Sequence, residues 1–319
     1  MGKNIQDLKI AIIGAGTMGL GIATHFAIHG HPVKIYDAFP ASLEKAKKQF
    51  PESLKSMEDL GTITPAITAK AKENLTFLSV MADAVIGADV IIENVPENKE
   101  LKKSIFDQLN SFVGSDVILC SNTSSLNIFE FLEVNRPTNL VITHFFVPAY
   151  VMPLVEIVRG PKTSDETVLT VKNLMSSTGK NPAVVNQVIP GFIMNRLTFA
   201  IFREAAYMVS QGWCKPEDID AAVISTHGPR YAFEGPFGLV DFAGVDTYEK
   251  ISEYLLPELC SSPEVPKVLK DLFNEGKLGV KTESGFYTYK NGAEARAQRD
   301  QKIVKMIQAI EKVNKSFEA

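Results

Sequence analysis

The chain reads as an α/β protein: a mostly parallel sheet over residues 1–188, then an all-helical C-terminal domain over residues 189–319. Three observations predict this. Short β-branched apolar runs alternate with helical patterns as far as Val185. Such alternation implies right-handed crossovers between parallel strands. A glycine-rich turn joins the first strand to the first helix, and beyond Pro190-Gly191 strand patterns give way to long apolar-periodic helices.

Residues 8–13 form an apolar run that reads as a buried parallel strand. Gly14-Ala15-Gly16-Thr17-Met18-Gly19 follows, and then a helical pattern carried by Leu20, Ile22, Ala23, Phe26 and Ala27. Gly30-His31-Pro32 ends that helix, and Val33-Lys34-Ile35-Tyr36-Asp37 is a second strand closed by an acid. Together these parts make a dinucleotide-binding unit of the Rossmann type. Gly14 allows the tight turn, Gly16 lets backbone approach a pyrophosphate, and Gly19 lets helix and strand pack closely. The open N–H groups at the helix start, around Thr17 and Met18, suit phosphate. Asp37 is placed to accept a ribose diol, and a carboxylate there repels a 2′-phosphate, so NAD is favoured over NADP. FAD shares the fingerprint, and the motif alone does not exclude it.

Residues 42–71 are mostly helical in pattern, with interruptions expected at Pro51 and at Gly61-Thr62-Ile63-Thr64-Pro65. Further strands are expected at 75–78, 88–93, 116–120, 139–144, 154–158 and 182–185, with a helix at 98–112 between the second and third of these. In the second domain, 195–211 reads as a long helix and Lys215-Pro216 opens another with proline in its first turn. The tail from Ala293 reads as a charged amphipathic helix with a solvated face.

Composition excludes several classes. Lysine and arginine total 33 and aspartate and glutamate 37, a net charge of −4. That balance lacks the basic footprint of a nucleic-acid binder. No apolar run approaches the ~18 residues that span a bilayer, and the polar stretch from Met1 to Lys9 does not read as a secretory signal. Three cysteines, Cys120, Cys214 and Cys260, show no metal or disulfide spacing and fit a reducing, cytoplasmic setting. No metal is expected, since no histidine pair has ligand spacing.

Ligands of an open parallel sheet bind beyond the carboxyl ends of its strands. The candidates there are the glycine turn, Asp37, Glu93 to Glu97, the cluster Ser121-Asn122-Thr123-Ser124-Ser125, and His144. Glu156 lies twelve residues after His144 in a strand able to pair alongside. A histidine held by a carboxylate makes a general base, which alcohol oxidation requires. A histidine at a strand end beside an incidental buried glutamate fits the same spacing. The serine cluster suits a substrate oxygen, and equally the cap of a following helix. His25 and His29 read as packing and surface residues, His31 as a turn residue, and His227 as a loop residue.

The motifs taken together resemble the 3-hydroxyacyl-CoA dehydrogenases over nearly the whole chain. They are Gly14 to Gly19; Glu93-Asn94-Val95-Pro96-Glu97-Asn98; Ser121 to Ser125; His144-Phe145-Phe146 with Pro148 and Leu154-Val155-Glu156; Pro190-Gly191-Phe192-Ile193-Met194-Asn195-Arg196; Gly235-Pro236-Phe237; and Ser284-Gly285-Phe286-Tyr287. The resemblance implies an NAD-binding domain followed by a helical domain that dimerises. It implies His144 as general base, Glu156 as its partner, Ser124 near the reacting oxygen, and Asn195 completing the site at the domain junction. It also implies Glu97 and Lys102 near the nicotinamide half of NAD. The implied reaction interconverts a 3-hydroxyacyl-CoA and its 3-oxo form.

Two features depart from the family pattern. Val147 stands where asparagine usually follows the histidine and two aromatics, and the excursion after the second strand is mixed in charge rather than lysine-rich. Relatives of the family act on small hydroxy acids or ring hydroxymethyl compounds without CoA, among them gulonate and carnitine, and this chain is an alternative member of that group. A non-catalytic dinucleotide-binding protein is a second alternative, with lens crystallins as the precedent.

Overall fold

The computed structural model describes residues 3–317. The chain divides into two compact units, 1–195 and 196–319.

In chain order the first unit contains β1 (Ile10–Ile13), α1 (Thr17–Ile28), β2 (Val33–Tyr36), α2 (Pro40–Asp59), α3 (Pro65–Asn74), β3 (Leu75–Leu78), α4 (Met81–Val85) and β4 (Val90–Glu93). It continues with α5 (Lys99–Phe112), β5 (Ile118–Ser121), β6 (Leu140–Phe145), β7 (Leu154–Arg159), α6 (Asp165–Ser177) and β8 (Asn181–Val185). The eight strands form one sheet in the order β3-β2-β1-β4-β5-β6-β7-β8. All neighbours are parallel except β6 and β7, which are antiparallel with His144 directly opposite Glu156. The order reverses between β1 and β4, the crevice where an open sheet receives its ligand.

Alternation of side chains along each strand feeds two cores, one per face of the sheet. Ile10 and Ile12 of β1 join α1, α2 and α6 on one side. Ala11 and Ile13 join α4 and α5 on the other. Strands covered on both faces read as continuous apolar runs, which is why β1, β4 and β5 are buried at every position.

Pro51 does not interrupt the excursion: α2 runs unbroken from Pro40 to Asp59. An interior proline costs about 3 kcal/mol. Against that, α2 buries Leu43, Ala46, Phe50, Leu54 and Met57 on one face, and each large apolar side chain contributes about 1.5–3 kcal/mol. The face outweighs the proline, which lies on the exposed side. The break at Gly61–Pro65 does form, with Thr64 capping α3. Asn98 likewise caps α5 through a bond from the Leu101 N–H of 2.8 Å.

The second unit is helical. Its elements are α7 (Met194–Ser210), whose first two residues belong to the first unit, then α8 (Pro216–Tyr231), α9 (Pro236–Ala243), α10 (Val245–Leu255), α11 (Lys267–Asn274) and α12 (Gly292–Phe317). Lys215 and Pro216 start α8 as the sequence suggests. His227 lies inside α8 rather than in a loop, stacked on Tyr231 at 4.9 Å. Ala206 and Val304 are the buried apolar side chains among this unit's described residues. No helix among the described residues is long and apolar enough to cross a membrane.

Candidate active site

The dinucleotide end is built from three backbone facts. Gly14 takes a positive φ of 98°, and a Cβ there would meet the Asn94 carbonyl at 2.9 Å. A Cβ on Gly19 would lie 1.8 Å from the Gly14 carbonyl oxygen, so only glycine lets α1 approach the turn. A Cβ on Gly16 would meet nothing within 4 Å, and Gly16 caps α1 without any side-chain bond. The start of α1 therefore presents free N–H groups and its positive dipole end to open space, the requirement for a pyrophosphate. Thr17 and Met18 form its first turn. Asp37 accepts from the Ala15 N–H at 2.7 Å and the Phe39 N–H at 2.9 Å, one on each carboxylate oxygen. Each oxygen retains a lone pair for a ribose hydroxyl.

Beyond β4 and β5 lies a carboxylate network. Glu97 Oε1 accepts from the Thr123 hydroxyl at 2.6 Å, the Ser124 and Ser125 N–H groups at 2.9 and 3.1 Å, and both of those serine hydroxyls at 3.2 Å. Burial pushes the Glu97 carboxyl up, but the Thr123 bond, Lys102 and the two N–H groups outweigh it and hold it below the usual range. Lys102 lies beneath, fully buried, with its ammonium on both oxygens of the buried Glu93 at 2.8 and 3.0 Å and 3.4 Å from Glu97. It thus bears on the surface through Glu97. No helix is capped by the serine cluster. Its hydroxyls turn to Glu97, and Thr123 closes the loop on the Leu126 N–H at 3.0 Å. Asn122 ties that loop to β6 by accepting the Phe145 N–H at 2.8 Å.

His144 and Glu156 meet through Nδ1 and Oε2 at 2.7 Å. Both side chains are buried. The carboxylate acceptor assigns a proton to Nδ1 and leaves the Nε2 lone pair free. Glu156 Oε1 takes the N–H groups of Ile193 and Met194 at 2.9 and 2.8 Å. Burial pushes the Glu156 carboxyl up, and the bonds from His144, Met194 and Ile193 overcome it and keep the group low. Those two N–H groups are the part that residue spacing does not disclose, because they depend on backbone. Pro190-Gly191-Phe192 makes the turn that aims them, with Phe192 at a positive φ of 49°, a conformation uncommon for a bulky residue. The Phe192 ring stands edge-on to His144 at 5.6 Å, and Phe146 lies 4.5 Å away on a tilt. Asn195 follows Met194 directly on α7, partly exposed. Val147 is 52% exposed at the head of the β6–β7 connection.

Of the remaining histidines, His25 is a buried packing residue of α1, and His31, in the turn that follows, is buried as well. His25 Nε2 meets the Thr178 hydroxyl at 2.9 Å, and His31 Nδ1 meets the Leu8 carbonyl at 3.0 Å. No group of three or more histidine, cysteine, aspartate or glutamate side chains among the described residues is arranged to hold a metal.

Comparison with known families matches both units. Residues 9–188 fit the 3-hydroxyacyl-CoA dehydrogenase NAD binding domain, and residues 191–289 fit the 3-hydroxyacyl-CoA dehydrogenase C-terminal domain. The chain belongs to the 3-hydroxyacyl-CoA dehydrogenase family. As a member of that family it is an NAD-dependent oxidoreductase acting on CH–OH groups. It is 34% identical over 306 residues to 5-formyl-3-hydroxy-2-methylpyridine 4-carboxylate 5-dehydrogenase of Mesorhizobium japonicum, covering 95% of this chain and 98% of that one. A solved structure of an enzyme of that name, described as an NAD+ dependent dismutase, has a TM-score of 0.87 at 33% identity, covering 96% and 99% of the two chains. A probable 3-hydroxybutyryl-CoA dehydrogenase of Bacillus subtilis is 37% identical over 284 residues, covering 88% of this chain and 97% of that one.

Proposed function

We propose that His144 is the general base of this dehydrogenase, with Glu156 as its partner, and that the reaction interconverts a 3-hydroxyacyl-CoA and its 3-oxo form. The observation that carries this is the 2.7 Å contact between two buried side chains at opposed positions of β6 and β7. When bound, NAD+ supplies the hydride acceptor. Nε2 of His144 takes the hydroxyl proton as the carbinol C–H bond breaks. The Nδ1–H bond to Glu156 fixes the tautomer and stabilises the imidazolium, while the N–H groups of Ile193 and Met194 keep Glu156 ionised. Glu97 anchors the Ser124 N–H, and the Ser124 hydroxyl turns from Glu97 to donate to the substrate oxygen as that oxygen gives its own proton to Nε2. Asn195 offers an amide from the first turn of α7. Gly14, Gly16, Thr17, Met18, Gly19 and Asp37 hold the dinucleotide, with Glu97 facing its nicotinamide half and Lys102 supporting Glu97 from below.

A second reading, the same chemistry on a hydroxy acid or alcohol without CoA, is favoured by two observations. The side chain of Val147, 52% exposed just beyond β6, offers no hydrogen bond where the family pattern has asparagine. The chain also carries α12 beyond the family match that ends at residue 289, and the pyridine carboxylate dehydrogenase is matched over more of this chain than the Bacillus enzyme is. NADH formation with 3-hydroxybutyryl-CoA, measured beside free 3-hydroxybutyrate, gulonate, carnitine and a hydroxymethylpyridine carboxylate, separates the two. Preference for the thioester supports the first reading. Turnover of the free acids alone refutes it and supports the second. NADH binding with no turnover of any of them contradicts both and leaves a dinucleotide-binding protein without this activity.

We also infer that the protein is a cytoplasmic homodimer joined through its second unit. Phe233, Phe237, Phe242 and Phe273 are between 69 and 87% exposed, large apolar side chains that a second copy would cover. The three cysteines are free thiols.

A further inference from the structure

A buried polar cluster lies outside the residues used above. Gly179, at a φ of 77°, ends α6 and turns the chain so that Lys180 precedes β8. The side chain of Lys180 is buried, and its ammonium donates to the carbonyls of Ala149 and Met152 at 2.6 and 2.7 Å. Those carbonyls belong to a single helical turn closed by the Val151 and Met152 N–H groups on the Pro148 carbonyl. The turn, Pro148 to Met152, lies in the connection between β6 and β7, four residues after His144 and four before Glu156.

The same turn meets the cofactor helix. A Cβ on Gly21 would lie 3.2 Å from the Ala149 Cβ and 3.8 Å from the Tyr150 ring. One turn further along α1, His25 bonds to Thr178, which adjoins Gly179 and Lys180. Three parts thus converge: the helix that receives the phosphates, the connection that joins the two halves of the dyad, and the corner that presents Lys180. The titratable groups facing Lys180 from α1 and the residue after it are His25 and His29. Burial pushes the Lys180 ammonium down to about 7. A neutral amine still donates two hydrogen bonds, matching two carbonyl acceptors, so the clamp survives loss of the proton. A methionine there would fill the volume and leave both carbonyls without a donor.

We propose that Lys180 is a positioning residue for hydride transfer, clamping the His144–Glu156 connection against the cofactor helix so that base and nicotinamide keep a fixed separation. The inference rests on the reading of His144 as base. Displacement of reacting groups by about 1 Å can cost ~100-fold in rate, so a loosened clamp is read in kcat rather than in cofactor affinity.

The test compares Lys180→Met and Gly21→Ala with the wild type and with His144→Ala, using whichever substrate the wild type turns over. The readouts are kcat per folded molecule, KM for NAD+, and the isotope effect of deuterium at the transferred position. Lys180→Met should lower kcat by ~10–100-fold, shift KM for NAD+ by less than about threefold, and raise the isotope effect as hydride transfer becomes limiting. Gly21→Ala displaces the same turn through Ala149 without touching Lys180. It should act in the same direction by a smaller factor, and it carries the test if Lys180→Met does not fold. A merely structural lysine would lower the melting temperature and leave kcat and the isotope effect of the folded fraction unchanged. That result, in either folded variant, overturns the proposal. Retained turnover in His144→Ala would instead remove the reading on which it rests.

Discussion

At the scale of single residues, the account rests on carboxylates whose surroundings keep them charged. Glu156 is buried yet meets three donors, and Glu97 gathers the hydroxyls and N–H groups of a whole loop. Asp37 braces the glycine turn through the Ala15 N–H, and we propose that its remaining lone pairs receive the ribose. Asp37→Ala should therefore weaken NADH binding by ~10-fold or more while the protein stays folded, the loss of one or two hydrogen bonds to a charged acceptor. Fluorescence titration measures it, and unchanged affinity refutes the ribose contact. His144, Glu156 and the serine loop were legible in the sequence because strand ends and a twelve-residue return put them together. The backbone donors from Ile193 and Met194 were not, since a turn's N–H direction is set by φ and ψ rather than by residue type.

At the level of elements, the first strand, glycine turn and helix were legible almost residue by residue, because Gly14 and Gly19 each answer a steric demand. The Gly19 position and the Gly14 carbonyl show that demand directly. The helical excursion was harder, since local propensity at Pro51 lost to the apolar face of α2. The role of α1 was also incompletely legible: a histidine on a helix gives no sign of being buried until α6 packs beside it. Burial holds the His25 imidazole well below its ordinary value of 6.5, and the neighbouring charges of Lys180, His29 and His31 push it the same way. In the unfolded chain the same ring protonates near 6.5, so the unfolded state binds the extra proton. The stability it contributes is complete above pH 6.5 and is lost as pH falls below that value. Thermal melts of wild type and His25→Gln between pH 8 and pH 5 should diverge below pH 6.5, with the wild type falling more steeply. Parallel curves would show that His25 does not titrate with folding.

At the scale of the whole molecule, the two units differ in how they hold together. The first has a double core on either side of an eight-stranded sheet. The second has few buried apolar side chains and many exposed ones, including Phe199 and Ile224 on its longest apolar helices. Helical periodicity revealed the helices of this unit but not what covers them, because a face turned to a core and a face turned to a second chain have the same pattern. If a second copy covers it, folding is coupled to association, and the unfolding midpoint should rise with protein concentration. A midpoint independent of concentration, with a monomer mass by sedimentation, would contradict the dimer.

The proposed reaction turns on one step, the transfer of the substrate alcohol's proton to His144. The most direct measurement is steady-state turnover of His144→Ala, with NADH binding titrated on the same preparation. The account predicts a fall in kcat of at least ~100-fold with NADH affinity retained, the scale of a lost general base. Turnover within a fewfold of the wild type would contradict it and return the His144–Glu156 pair to the core of the fold.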